Sequence, residues 1–156
     1  MTASKPVNSI ELPNEVLLKE VCALIAGGHE VTLRVRGVSM RPFLEDRRDK
    51  IVLTRLEQVN VGDAVLAEIA PGRYVYHRVV RIEGGKVTLR GDGNVYATEQ
   101  CRIEHVVAAT QSLIRKGKNY SPKGWTWRCY SALWPAWPFA RRVLLKLYRV
   151  FRCNRW

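Results

Sequence analysis

The stretch "YVYHRVVRIEGGKVTLRGDGN", residues 74–94, restricts the chain more than any other. Two runs rich in β-branched and aromatic residues flank Gly84-Gly85, and a two-residue glycine loop between such runs specifies a β-hairpin. With the glycines as the loop, Glu83 faces Lys86. The pairing then runs through Ile82 with Val87, Arg81 with Thr88, Val80 with Leu89 and Val79 with Arg90. This register keeps Val80, Ile82, Val87 and Leu89 on one apolar face, and a slip of one residue would mix the faces. Carried further, it sets His77 opposite Asp92. Opposed side chains have Cβ atoms ~5 Å apart, near enough for a carboxylate to accept an imidazole N–H.

The rest of the body repeats this pattern. "EVTLRVRG" alternates Val31, Leu33 and Val35 with Thr32, Arg34 and Arg36, as a half-buried strand does. Short strands are predicted again at "KIVLTRL", "DAVLAEI" and "EHVVAA", between Gly, Asp and Pro turns. One helix precedes them: "EVLLKEVCALIAGG" spaces Leu17, Leu18, Val21, Leu24 and Ile25 helically, and Gly27-Gly28 end it. The fold expected is mainly β, with an N-terminal helix (1–30), a β body (31–115) and a distinct C-terminal segment (116–156).

Charge divides the chain the same way. Of the net +12, residues 105–156 supply 11 Lys/Arg and no acid, and all five Trp lie there. After a loop, "KGKNYSPKGW", the end of the chain reads as a basic amphipathic helix. Phe139, Val143, Leu144, Leu147 and Phe151 form a stripe, with Arg142, Lys146, Arg149 and Arg152 toward the other side. Three roles fit such a segment: a packing helix, a nucleic-acid patch or a membrane-surface element. No helix-turn-helix or other reading module accompanies the charge, which argues against nucleic acid. The apolar stripe, Trp134, Trp137, Arg141, Arg142, Lys146 and Arg149 favour peripheral attachment to an anionic membrane face.

The N-terminal stretch carries Glu11 and Glu15 and no apolar core, so no export signal is expected. No run approaches the ~20 apolar residues of a membrane span. Cys22, Cys101, Cys129 and Cys153 are spread without a C-x-x-C pair. This fits reduced thiols in a cytoplasmic protein, with no metal or cofactor expected.

"RGVSMRPFL", residues 36–44, places Ser39 on a glycine turn. A serine hydroxyl is a weak nucleophile until a base takes its proton. A histidine titrates in the right range to do so, and a carboxylate on its far nitrogen fixes the tautomer. Ser39, His77 and Asp92 would supply those parts, with backbone N–H groups around Gly37 and Met40 as an oxyanion site.

"GVSMRPFL", "DKIVL", "VGDAVL", "YHRVV" and "RGDGN", in that order over roughly residues 31–109, resemble the motifs of the signal peptidase I and LexA-type self-cleaving repressor superfamily. The resemblance implies a compact β peptidase domain in which Ser39 attacks a peptide carbonyl, and an extended peptide or protein substrate. "H-R-V" and "G-D-x-N" are similar to the archaeal and endoplasmic-reticulum branch, where histidine replaces the usual lysine base. They imply His77 as base and Asp92 as acid, with Glu99 as the alternative acid. Ala26-Gly27 resembles the bond that self-cleaving repressors cut, but 12 positions separate Gly27 from Ser39, too short a tether for easy self-cleavage. The rival reading is a catalytically silent peptide-binding or membrane-associated module of the same fold.

Overall fold

The computed structural model describes residues 14–136 and 138–153. It is mainly β, as expected: eight strands in one antiparallel sheet, with helices at both ends of the described chain. The elements are α1 (Asn14–Ala26), β1 (Val31–Arg34), β2 (Lys50–Arg55), β3 (Ala64–Ala70), β4 (Arg73–Glu83), β5 (Lys86–Arg90), β6 (Glu99–Arg102), β7 (Val106–Arg115), β8 (Lys118–Tyr120), α2 (Trp125–Ala136) and α3 (Pro138–Cys153). The strand order is β1-β2-β7-β3-β4-β5-β6, with β8 paired to β7.

α1 ends as its glycines require. Gly28 has φ +85°, its N–H donates to Ile25 O, and the His29 N–H donates to Leu24 O. That is the paired closure of a helix by a left-handed residue, which glycine adopts without Cβ strain. The helix buries Val21 and Ile25 and leaves Leu17 and Leu24 exposed. Its inner face is therefore narrower than its apolar spacing implies.

β3 is the centre of the molecule, and its alternation explains why there are two cores. Ala64 and Leu66 point into a cluster with Ile25, Phe43, Leu53 and Leu113. Val65 and Ala67 point the other way, into one with Val79, Val87, Leu89 and Val106. A strand covered on both faces reads as an unbroken apolar run, as "AVLA" does.

Three features depart from the sequence reading. β7 runs six residues past "VVAA", and β6 was not foreseen. The segment "KGKNY" holds a hairpin, because Lys116 and Gly117 both take positive φ (49° and 77°), the geometry of a tight two-residue turn. Part of the 116–156 segment is also built into the body. Trp127 is 4% exposed, and its ring meets Phe43 edge-on at 5.0 Å. No helix among the described residues is long and apolar enough to cross a membrane.

Candidate active site

The β4–β5 hairpin begins in the expected register, with Glu83 opposite Lys86, Ile82 opposite Val87 and Arg81 opposite Thr88. It then shifts. Val79 faces Leu89 and Arg78 faces Arg90, so Val80 is an extra residue on β4. Such a bulge reverses which face every later residue occupies relative to its partner strand. The reversal brings Val79 and Leu89 together in the second core cluster, 1% and 0% exposed. It also overturns the expected pairing of His77 with Asp92.

After the bulge, two faces form. Val79, Leu89 and Glu99 share one, because Leu89 pairs with Val79 on one side and with Glu99 of β6 on the other. His77, two residues before Val79, lies on that face as well. His77 is 5% exposed, and its Nδ1 lies 2.9 Å from Glu99 Oε2. A carboxylate accepts, so Nδ1 is the donor in this bond and Nε2 is the ring nitrogen left outside it. Glu99, the alternative acid, thus occupies the position expected of Asp92.

Ser39 reaches the same face from the turn after β1. Gly91, two residues beyond Leu89, is where it crosses. A Cβ added at Gly91 would lie 2.5 Å from Ser39 O and 3.0 Å from Ser39 Cβ, so only glycine permits the approach. The Gly93 N–H donates to Ser39 O at 2.7 Å, and a Cβ at Gly93 would meet Val38 O at 2.7 Å. "RGDGN" is thus the seat of the serine turn. Ser39 is half-buried on it, and Met40 beside it is buried in the first cluster. The Gly37 N–H donates to Asp46 Oδ1 at 2.8 Å, which removes it as an oxyanion donor.

Asp92 faces the other way. Arg78 grips its carboxylate with both Nε and Nη2, each at 2.8 Å. Tyr130 Oη donates to Oδ2 at 2.9 Å, and Trp134 Nε1 donates to the Asp92 carbonyl at 2.8 Å. Arg78 also donates to Gly62 O and Ser131 Oγ, and it stacks on the Trp127 ring. Burial works against the Arg78 charge, but its hydrogen bonds and attraction to Asp92 outweigh this and hold its pKa above the ordinary value. Burial, reinforced by the Asp92 charge, raises the Tyr130 phenol. Both carboxylate oxygens are thus engaged on the face away from His77, so Asp92 is turned from the imidazole.

The loop from Arg41 to Asp49 is fixed by two buried carboxylates. Glu45 accepts from Arg41 Nε at 2.9 Å and from Tyr148 Oη of α3 at 2.6 Å. Asp49 accepts from Arg48 and from the N–H groups of Glu45 and Lys116. Burial pushes the Asp49 carboxyl up, yet these donors outweigh it and hold it below the usual value. Sequence alone offered no sign of Tyr148 on Glu45 or Tyr130 on Asp92, because partners so far apart follow no local period. Among the other site residues, Trp134 is anchored at Asp92, and Arg141 is 2% exposed with Nη2 donating to Val95 O at 2.7 Å. Neither is a free surface group. Trp137 and the side chain of Arg149 lie outside the described residues. No group of three or more His, Cys, Asp or Glu capable of holding a metal occurs among the described residues.

A β fold that carries a serine turn seated against a glycine pair, and a buried histidine bonded to a glutamate, is the framework of a serine peptidase-type domain. The model of the Peptidase S24-like family matches residues 2–110, and the chain belongs to that family. This agrees with the LexA and signal peptidase type of fold, and it makes peptidase chemistry the general activity of the family. No curated protein matches the chain. The match ends before α2 and α3, which are the helices that close over Asp92 and Glu45.

Proposed function

We infer that the protein is a serine endopeptidase in which Ser39 is the nucleophile, His77 the general base and Glu99 the carboxylate that orients it. The observation that carries this reading is the His77–Glu99 bond on the face that Ser39 crosses at Gly91. Ser39 Oγ attacks the peptide carbonyl carbon while His77 Nε2 takes its proton. The oxyanion is met by backbone N–H at Met40, next to the nucleophile. The imidazolium then returns the proton to the leaving amine as the C–N bond breaks, and an acyl-serine ester remains. Water, deprotonated by the same imidazole, hydrolyses the ester. Glu99 keeps the Nδ1 proton in place and stabilises the imidazolium without itself taking that proton.

This site belongs to the histidine-base kind of the superfamily rather than the lysine-base kind. The substrate is an extended peptide segment, added as a strand at an open sheet edge. β1 is such an edge, and it leads directly into the Ser39 turn.

The test is covalent labelling with a fluorophosphonate, with the modified residue mapped by mass spectrometry. Label on Ser39, lost in Ser39→Ala and in His77→Ala, is expected. Label placed on another serine, or unchanged in His77→Ala, overturns the mechanism.

A further inference from the structure

The apolar stripe of α3 points away from the body. α3 docks through a different set of residues: Arg141 and Leu145, 2% and 7% exposed, and Tyr148 bonded to Glu45. These positions recur at the spacing of one helix face. Phe139, Val143, Leu144, Leu147 and Val150 are left 77%, 43%, 51%, 45% and 51% exposed. At ~100° per residue, Phe139, Val143, Leu147 and Val150 fall within roughly 80° of one another around the axis. Leu133 of α2, 64% exposed, extends this surface, since Leu133, Trp134, Ala140 and Leu144 line one groove of about 230 Å³ between the helices. Arg142 and Lys146 border the stripe, and Arg142 lies over the exposed Tyr96 ring at 4.5 Å.

A helix that served only to pack would turn this stripe inward. Here polar anchors hold the helix by one side and hold the stripe outward. Charge decides what covers it. Residues 105–156 bring 11 cations and no anion, so a second copy laid on this face would meet its own charge. An anionic lipid surface meets both features, taking the stripe into its acyl boundary and the flanking cations among its headgroups.

We propose that α3, with Leu133 of α2, is an interfacial helix that docks the protein on an anionic membrane surface. Val143, Leu144 and Leu147 enter the apolar boundary, and Arg142 and Lys146 pair with headgroups. The lipid-facing set differs from the one the sequence suggests. Trp134 and Arg141 drop out because the body has already engaged them.

The experiment is flotation of the full chain with phosphatidylcholine vesicles, with and without phosphatidylglycerol. Binding is expected only with the anionic lipid, weakening as salt rises. Arg142→Gln/Lys146→Gln should weaken it about thirtyfold, the loss of two headgroup contacts. Val143→Glu/Leu147→Glu should abolish it. Val143 and Leu147 are 43% and 45% exposed, so the unfolding temperature should hold. If it falls, Leu147→Gln alone is the variant to float, and it should bind several-fold more weakly. Absence of flotation on anionic vesicles overturns the proposal, as does flotation unchanged by the apolar variants. So does a dimer in sedimentation that those variants dissolve. Binding to duplex DNA but not to vesicles, removed by Arg142→Gln/Lys146→Gln, assigns the charge to nucleic acid and equally overturns it.

Discussion

The two faces of the β4–β5 hairpin each carry an acid beside a basic partner, and the pairs differ in how completely they are satisfied. Asp92 accepts two bonds from Arg78 and one from Tyr130, and a fourth fixes its carbonyl. Glu99 meets one nitrogen of His77, and its side chain is 23% exposed. Arg78 keeps its proton at physiological pH and can only donate, whereas an imidazole has one nitrogen that can donate and one that can accept. An ion pair bonded on both carboxylate oxygens can hold two segments together, here the β4–β5 hairpin and α2. A pair with one nitrogen left over can move a proton. On the proposed mechanism, neighbouring strand positions divide the work, Arg78 serving structure and His77 serving chemistry.

The comparison breaks first on kinetics. Glu99→Gln is expected to slow fluorophosphonate labelling of Ser39 by roughly 10³–10⁴-fold, the effect of losing the correct imidazole tautomer. The unfolding midpoint should barely change, since one partly exposed bond is lost. A labelling rate within a few-fold of the unaltered protein would strip Glu99 of its role and leave His77 acting alone. Asp92→Ala should show the opposite profile. It leaves the Arg78 charge buried without its partner, at a cost of about 3–5 kcal/mol in denaturant unfolding. The fraction that stays folded should label far faster than Glu99→Gln. If Asp92→Ala were as stable as the parent and as slow as Glu99→Gln, the assignments of the two acids would be exchanged.

This division was half legible in the sequence. The double glycine and the alternation around it marked the hairpin and its first three pairs, because turn geometry and the apolar face act locally. The extra residue at Val80 carried no mark of its own. Its cause is the placement of Val79 against Leu89 in a core assembled from β3 and β7, strands distant in sequence. One unpaired residue was enough to exchange Asp92 for Glu99 as the partner of His77. In the same way, the stripe on α3 was visible from its period, but its direction was not. Direction depends on Val95 and Glu45, which take Arg141 and Tyr148.

The seat of the serine offers a finer test. Gly93→Ala puts a methyl 2.7 Å from Val38 O, against backbone rather than a flexible side chain. Overpacking of this kind costs about 1–3 kcal/mol. Because the strain falls on the Ser39 turn, labelling should also slow by ~10²-fold, the scale of a 1 Å misplacement. Loss of stability with a normal labelling rate would show that the turn tolerates displacement, and would reduce "RGDGN" to scaffolding.

The smallest effect is on pH, and it belongs to the Asp92 side. Burial, then the Asp92 charge, hold the Tyr130 phenol above its ordinary value of 10.0. Above that pH the unfolded chain gives up the proton and the folded one keeps it, so the folded state binds more protons and stability falls as pH rises. Tyr130→Phe removes a bond to a charged acceptor, at about 1.5 kcal/mol near neutrality. It should also flatten the decline of the unfolding midpoint above pH 10. Tyr76, raised by burial on the same hairpin, leaves a residual slope. His77 lies across the strand from this network, so Tyr130→Phe should leave the pH profile of Ser39 labelling where it was. A profile that moved with Tyr130 would mean that the two faces are one electrostatic unit, and the separation of structural from chemical pair would fail.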